Sequence, residues 1–243
     1  GSCSTCGNGY DFSPGTSPGR AKYNALSLGA GQKMLWEINH PEGTPGGELG
    51  WDVIESLGSI NINATSNDPF KIDLLTLSSW NNQEDFLTTW SPGYDHCWPI
   101  MIASGGISGF AKSKFQVNDS AFKNNTPIYG GSFELQLSPN ADTLYLCFRA
   151  ATPGVGQEGF PGGPGQYGQD GGRGGPGGPC GPNTPPGKGG RGGSGGHGVG
   201  GWLPPGQGGL GGPGGDCSSG AYSGGDGGEG GRGGEGGDGQ AGA

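Results

Sequence analysis

The sequence lacks long apolar runs, and no stretch approaches the ~20 residues that a helix needs to cross a bilayer. It has only 12 Lys and Arg against 21 Asp and Glu, and the cationic residues form no stripe. A formal charge of -9 repels phosphate backbones. We therefore expect neither a membrane span nor a nucleic-acid partner.

Recognisable catalytic chemistry is also missing. The sequence has no Ser/His/Asp arrangement, phosphate-binding loop or carboxylate pair with an identifiable role. Asp95, His96 and Cys97 could be metal ligands, but adjacent strand residues point to opposite faces of a sheet and cannot all reach one ion. A disulfide cysteine beside a surface histidine is the preferred interpretation. We predict no enzyme, and no catalytic, cofactor or metal site.

Glycine content changes abruptly near Pro153. Residues 1–152 contain 18 glycines, whereas 44 of the 62 glycines follow them. Nearly half of the second stretch has no side chain to bury, so the two stretches need different stabilising forces. We predict an N-terminal arm (1–20), a β-rich head (21–152) and a glycine-rich region (153–243).

Short apolar or alternating runs bounded by turn residues predict eight strands in the head. They are residues 25–28, 33–38, 59–64, 70–77, 100–103, 114–117, 132–137 and 143–150. The strictly alternating last two, with turn formers between them, predict a hairpin. Only residues 50–57 have a helix-like spacing, so this is the one place in the head where a short helix could form. The prediction is all-β, a β-sandwich of jelly-roll type.

The cysteines and sequons favour an extracellular setting. Six cysteines make an even number, and sequons begin at three asparagines. The predicted disulfide cysteines are Cys3, Cys6, Cys97, Cys147, Cys180 and Cys217, and the candidate glycosylation sites are Asn63, Asn118 and Asn124. The CxxC spacing of Cys3 and Cys6 would also suit a zinc or redox pair, but structural disulfides are preferred. The chain starts at Gly1 without a signal-like segment, which we interpret as a processed secreted protein.

Tryptophan is frequent in the head, at Trp36, Trp51, Trp80, Trp90 and Trp98. Core packing is the expected use of most of them. The alternative is an aromatic surface that stacks on sugars.

Glycine recurs at every third position from Gly156 to Gly177, and further triplet series start at Gly189, Gly206 and Gly224. A three-residue period with glycine and proline indicates polyproline-II geometry. Many triplets are Gly-Gly-X, which disfavours collagen and favours separate helices bonded side by side through their backbones. We predict four such segments, with a disordered linker as the alternative.

Chain reversal at each interruption would bring Cys180 and Cys217 to the same end of a four-segment bundle. We therefore predict a disulfide between them. A helix that continued through residues 204–205 would hold the two cysteines roughly 90 Å apart and forbid it.

The repeat pattern of residues 153–243 resembles the polyglycine-II bundles of snow flea antifreeze proteins and of the glycine-rich adhesins at phage long-tail-fibre tips. The first resemblance implies a flat ice-binding face of small residues, but the outward column through Asp226, Glu229 and Arg232 is charged. The second implies receptor-binding loops at the end of the bundle, which here would be residues 182–186 and 218–223.

These features predict a structural subunit of an extracellular fibre, sheath or surface appendage, which assembles with itself through the β head. The alternative is an adhesin that binds glycans or a cell surface. The N-terminal arm, with Cys3 and Cys6, would cross to a neighbouring subunit or act as a tether within its own.

Overall fold

The computed structural model describes residues 10–15, 18–153, 157–161, 170, 172–179, 186–191, 194, 207, 210–216, 225–226 and 229. Strands dominate these residues, which confirms the all-β class. The strands are β1 (Arg20–Tyr23), β2 (Leu26–Leu28), β3 (Lys33–Ile38), β4 (Thr44–Pro45), β5 (Gly50–Trp51), β6 (Val53–Ser56), β7 (Ile60–Ile62), β8 (Phe70–Thr76), β9 (His96–Ala103), β10 (Ile107–Ser108), β11 (Phe115–Asn118), β12 (Ser132–Leu137) and β13 (Thr143–Arg149).

Helix is confined, in this part of the chain, to α1 (Ser120–Asn125) and a 3-10 turn at Lys112–Lys114. Neither has the length and apolar character that crossing a bilayer requires.

Consecutive strands of the head form turns of a coil that stack in parallel. Strands β1, β2 and β3 pair with β6, β7 and β8, and these pair in turn with β9, β10 and β11. Three sheets result, with the orders β1-β6-β9-β13-β12, β10-β7-β2 and β11-β8-β3-β5-β4. This pairing is that of a short parallel solenoid, in which each turn buries its inward side chains against the next.

The parallel pairing corrects the predicted jelly-roll-like sandwich, whose strands would be mainly antiparallel. Seven of the ten strand pairs in the described residues are parallel. An alternating run determines which face of a strand is buried, but it does not determine the partner or its direction. Residues 50–57, despite their helix-like spacing, do not form a helix. That stretch forms β5 and β6, in which the β-branched Val53 and Ile54 are fully buried.

The predicted hairpin is confirmed by β12 and β13, which pair antiparallel from Ser132 opposite Arg149 to Leu137 opposite Leu144. Strand β13 also pairs antiparallel with β9 and so extends the first sheet beyond the stacked turns.

Large aromatic side chains fill the core of the head. Four of the five head tryptophans are buried, whereas Trp80 is 53% exposed. The indole N–H groups of Trp36, Trp90 and Trp98 donate to the backbone carbonyls of Asp52, Pro127 and Pro41, respectively. Burying one such side chain contributes roughly 1.5–3 kcal/mol, and the hydrogen bonds avoid the cost of an unpaired donor. The expectation that most tryptophans pack in the core is confirmed.

Residues 10–15 of the predicted N-terminal arm lie against β3 of the same chain. The backbone N–H groups of Asp11 and Phe12 donate to the Lys33 carbonyl, and Leu35 donates to the Phe12 carbonyl. The Phe12 ring is part of the core. This stretch is therefore a tether within its own head, while Cys3 and Cys6 lie outside the described residues.

The glycine-rich region contains five described segments that exchange backbone hydrogen bonds. We number them I (157–161), II (172–179), III (186–191), IV (210–216) and V (225–226). Segments I and II run antiparallel, since the N–H groups of residues 175 and 178 donate to the carbonyls of 160 and 157. Segments II and III do so through donation from 187 and 190 to 178 and 175, and segments III and IV through donation from 212 and 215 to 190 and 187. Segments II and IV run parallel, with 174 and 177 donating to 210 and 213. Each donor pair is spaced by three residues.

Burial in this region follows the same period of three. Gly174, Gly175, Gly187 and Gly190 are buried. Exposed residues recur at 170, 173 and 179, at 188, 191 and 194, at 207, 210, 213 and 216, and at 226 and 229. In segments II to V, bare backbone is therefore the interior and one residue in three faces water, whereas segment I is exposed at residues 157, 158 and 161.

The prediction of four segments is wrong in one respect. Segments I and II were expected to be one continuous segment, but they pair antiparallel with each other through Gly175 and Gly178. The regular triplets continue between them, so triplet phase alone gave no sign of a reversal.

Candidate functional site

A cleft with a volume of about 920 Å³ lies between the head and the glycine-rich region. Three pieces of chain enclose it. They are the loop after β3 with Trp51 of β5, the loop that leads into β9 with the start of that strand, and Asp170, Gly172 and Arg173 of the glycine-rich region. Pockets that hold small ligands are typically ≈ 300–1,000 Å³, so the cleft has the size of a ligand site.

The first wall is held in place by Asn39, a fully buried polar residue. Its side-chain amide donates to the Glu48 carbonyl and to Asn82, and its oxygen accepts the Gly50 N–H. These bonds fix the loop that carries His40 and Glu42. The wall continues with the half-exposed Leu49 and with Trp51, whose indole N–H donates to the Pro99 carbonyl.

The second wall is an aromatic stack centred on His96. Its ring lies parallel to Trp98, with ring centroids 5.6 Å apart, and 4.9 Å from the ring of Trp90. Its Nε2 lies 3.1 Å from the Ser91 carbonyl oxygen, and its Nδ1 lies 3.4 Å from Glu42 Oε1. The imidazole is thus fixed in position and forms an ion pair with Glu42 when it is protonated.

The third wall comes from the glycine-rich region. The backbone N–H of Arg173 donates to Ser91 Oγ at 2.8 Å. The guanidinium of Arg173 lies 5.1 Å from the Tyr94 ring centroid, which is a cation–π contact. Gly93 and Gly175 approach so closely that a Cβ on Gly93 would meet the Gly175 backbone. The two glycines allow the head and the glycine-rich region to meet here.

The cleft contains an unusual share of unpaired polar atoms. Four buried side-chain atoms of the described residues have no hydrogen-bond partner, and three belong to cleft residues: His40 Nδ1, Thr89 Oγ1 and Tyr94 OH. Burial lowers the pKa of His40, and the Glu42 carboxylate partly opposes that shift. Each unpaired buried group costs ≈ 1–3 kcal/mol, so such groups tend to mark sites with a role beyond folding.

Backbone strain is also located in the cleft. Thr89 has a φ of 57°, in the left-handed region that β-branched residues rarely adopt. Such a conformation costs on the order of 1–3 kcal/mol and is found most often at binding and catalytic sites.

The charges in the cleft are of both signs and largely balanced. The negative charge of Asp95 is compensated within the head, since its carboxylate pairs with Arg149 at 2.9 Å and accepts the Ala150 N–H. One oxygen of Asp170 accepts the Gln207 N–H. Glu42, Asp170 and Arg173 are the other acidic and basic residues among the described ones that line the cleft.

Of the predicted disulfide cysteines, Cys97 and Cys147 are joined to each other and lie opposite across β9 and β13. Cys3, Cys6, Cys180 and Cys217 lie outside the described residues. Within those residues, no three His, Cys, Asp or Glu side chains are grouped so that they could hold a metal ion.

The three sequon asparagines, Asn63, Asn118 and Asn124, are all exposed. Asn63 donates to Ser27 Oγ, and Asn118 donates to Asp73. All three side chains are therefore at the surface, where a glycan can be accommodated.

Sequence reasoning selected Asp95, His96 and Cys97 as adjacent potential ligands and Trp51 and Trp98 as aromatic residues, but it did not bring the two sets together. It missed His40, Glu42, Tyr94 and Arg173. Arg173 is the outward residue of a Gly-Gly-Arg triplet and looks like Arg191, so nothing in the repeat marks it as a cleft residue.

No protein-family model, no curated protein and no solved structure matches this chain, so its fold and its cleft have to be interpreted from its own residues.

Proposed function

We propose that this chain is a non-enzymatic structural subunit of an extracellular fibre, sheath or surface appendage. In this proposal the β head carries the contacts between subunits, and the glycine-rich region is a polyglycine-II bundle that serves as a rod. The observation that carries it is the network of backbone hydrogen bonds at three-residue spacing between segments I to V. Left-handed helices with three residues per turn present the same backbone groups at this interval.

An extracellular location is supported by the Cys97–Cys147 disulfide and by the exposed sequon asparagines. The predicted Cys180–Cys217 disulfide belongs to the same proposal. Segments II and IV, whose last residues precede these cysteines, are hydrogen-bonded neighbours that run in the same direction. Peptide mapping without reduction tests the pairing, which fails if either cysteine is free or bonded elsewhere.

Electron microscopy of the purified full chain tests the structural function. We expect regular filaments or sheets at high protein concentration, with a repeat set by one subunit. Dispersed particles of monomer mass at every concentration would contradict the proposal.

The second candidate function is an adhesin, and the cleft between the head and the glycine-rich region favours it. A subunit that serves only as a building block has no need for a strained Thr89 and three unpaired polar groups around one concavity. Binding of the purified chain to a glycan array, without self-assembly, would support this candidate over the first.

A further inference from the structure

The cleft combines a small apolar surface with polar groups at its edges. Leu49 is 44% exposed and provides most of this surface, and the neighbouring Trp51, which is 7% exposed, contributes only an edge. The indole N–H groups of Trp51 and Trp98 donate to backbone carbonyls, so their rings have no free donor to offer a ligand. The C–H face of a sugar ring is the kind of surface that packs on such side chains.

Charged groups of opposite sign come from different walls of the cleft. Glu42 is on the loop after β3, and its side chain is 70% exposed. On the wall from the glycine-rich region, Arg173 offers a guanidinium with no ion pair among the described residues, and Asp170 lies nearby. Hydroxyl groups donate and accept at once and can therefore bond to carboxylates and to a guanidinium in the same site.

The charge balance selects against strongly charged ligands. A polyanion would meet Glu42 and Asp170, and a polycation would meet Arg173. A neutral ligand rich in hydroxyl groups avoids both repulsions and can use all three side chains.

We propose that this cleft binds a neutral oligosaccharide, with one sugar ring against Leu49 at the exposed edge of Trp51 and its hydroxyl groups between Glu42 and Arg173. The proposal deepens the adhesin candidate and rests on it, and it does not require filament formation. Because the walls come from both regions, the bound sugar would bridge the head and the glycine-rich region.

The first test measures binding of the full chain to neutral α- and β-linked hexose oligomers of defined linkage, by array and then by calorimetry. Leu49→Arg places a long cation in the cleft, and Leu57→Arg places the same group on a leucine that is 74% exposed and lies outside the cleft. We expect at least one neutral oligomer to bind, Leu49→Arg to weaken it by tenfold or more, and Leu57→Arg to leave it unchanged.

The second test removes the donor contributed by the glycine-rich region. Arg173→Ala should weaken binding of the same oligomer by tenfold or more, because it removes a charge-assisted hydrogen bond. Arg191→Ala, at an equivalent outward position of segment III, should have no effect.

Three results would overturn the inference. They are no binding by any neutral oligomer, full binding by Leu49→Arg and Arg173→Ala, and preference for uronate oligomers or extended peptides included as separate arms. If the chain forms filaments but binds no neutral oligomer, this inference fails while the structural proposal stands. Binding without filaments gives the reverse result.

Discussion

The head and the glycine-rich region solve the same problem in opposite ways. In the head, strands stack so that Trp, Phe, Leu and Ile side chains exclude water from a shared interior. In the glycine-rich region the interior is peptide backbone, and Gly175, Gly187 and Gly190 are buried because they have no side chain. Hydrophobic burial therefore stabilises the first region, and amide-to-carbonyl bonds stabilise the second.

This difference predicts opposite sensitivities to mutation. A head residue contributes through atoms that it has, so removing them is harmful. An interior glycine contributes through the atoms that it lacks, so adding a single methyl group is harmful. Four experiments probe the two regions and the contact between them, from the largest expected effect to the smallest.

Gly190→Ala should have the largest effect. Gly190 donates to the Gly175 carbonyl and accepts from Gly212, both at 2.8 Å, and a Cβ there would fall onto the backbone of Gly159 and Phe160. Backbone cannot move aside as a rotamer can, so we expect a loss of about 3–6 kcal/mol from overpacking and broken hydrogen bonds. Amide hydrogen exchange should show lost protection in segments I to IV.

The neighbouring Arg191→Ala is the matched control for Gly190→Ala. It adds no atom to the interior and should change stability by less than about 0.5 kcal/mol. Equal protection in the Gly190→Ala variant and the unmodified chain would show that this interior is not close-packed.

Leu144→Ala should have the next largest effect, and it removes side-chain volume where Gly190→Ala adds it. Leu144 is fully buried on β13, between Leu137 of β12 and Met101 of β9. Truncation should lower the free energy of unfolding of the head by about 2–5 kcal/mol in denaturant titrations. Leu57→Ala, at a mostly exposed leucine, should hardly change the free energy of unfolding. A similar loss in both variants would show that Leu144 does not stabilise the core.

Much of this contrast can be predicted from the sequence, because both regions are periodic. The alternation of residues 132–137 predicts which side chains of β12 face the core, and a column of glycines every third residue predicts a backbone interior. Strand partners are not legible, since Ile60 pairs with Leu26 and Ile107, which are distant in sequence and similar in type. Parallel stacking thus emerged only with the structure.

Glu37→Gln should have a smaller and pH-dependent effect. Burial raises the pKa of Glu37 to about 7, from 4.5, and burial together with the Glu37 charge raises the pKa of Asp52 well above its usual value. The folded head therefore binds a proton more tightly at Glu37 than the unfolded chain does. The stability contributed by that proton is fully present below pH 4.5 and is lost as the pH rises to about 7.

Substitution by glutamine removes this ionisation, so it should stabilise the head by about 1–3 kcal/mol at pH 8 and by little at pH 4.5. Thermal unfolding across this pH range measures the difference. Glu48→Gln, at an exposed glutamate, is the control and should leave the stability of the head unchanged at both pH values. A gain at pH 4.5 as large as that at pH 8 would show that ionisation of Glu37 is not the cause.

The cleft was less accessible to sequence reasoning than either region. Its walls come from positions as far apart as His40, Tyr94 and Arg173, and no local motif links them. Thr89 carries a strained backbone that its residue type argues against, so a rule based on residue type predicts the wrong conformation at this site.

The smallest expected effect tests whether the two regions are energetically joined. Tyr129 of the head and Phe160 of segment I are stacked, with ring centroids 5.2 Å apart and planes 11° from parallel. A double-mutant cycle with Tyr129→Ala and Phe160→Ala should give a coupling of about 0.5–1.5 kcal/mol, because such ring pairs contribute this much beyond their buried area. A cycle that pairs Tyr129→Ala with the distant Leu57→Ala should give none.

If the first coupling is also zero, segment I does not add to the stability of the head, and a sugar that bridges the cleft would have to order the two regions as it binds. If the coupling is present, the cleft walls are held together beforehand, and binding incurs less ordering entropy.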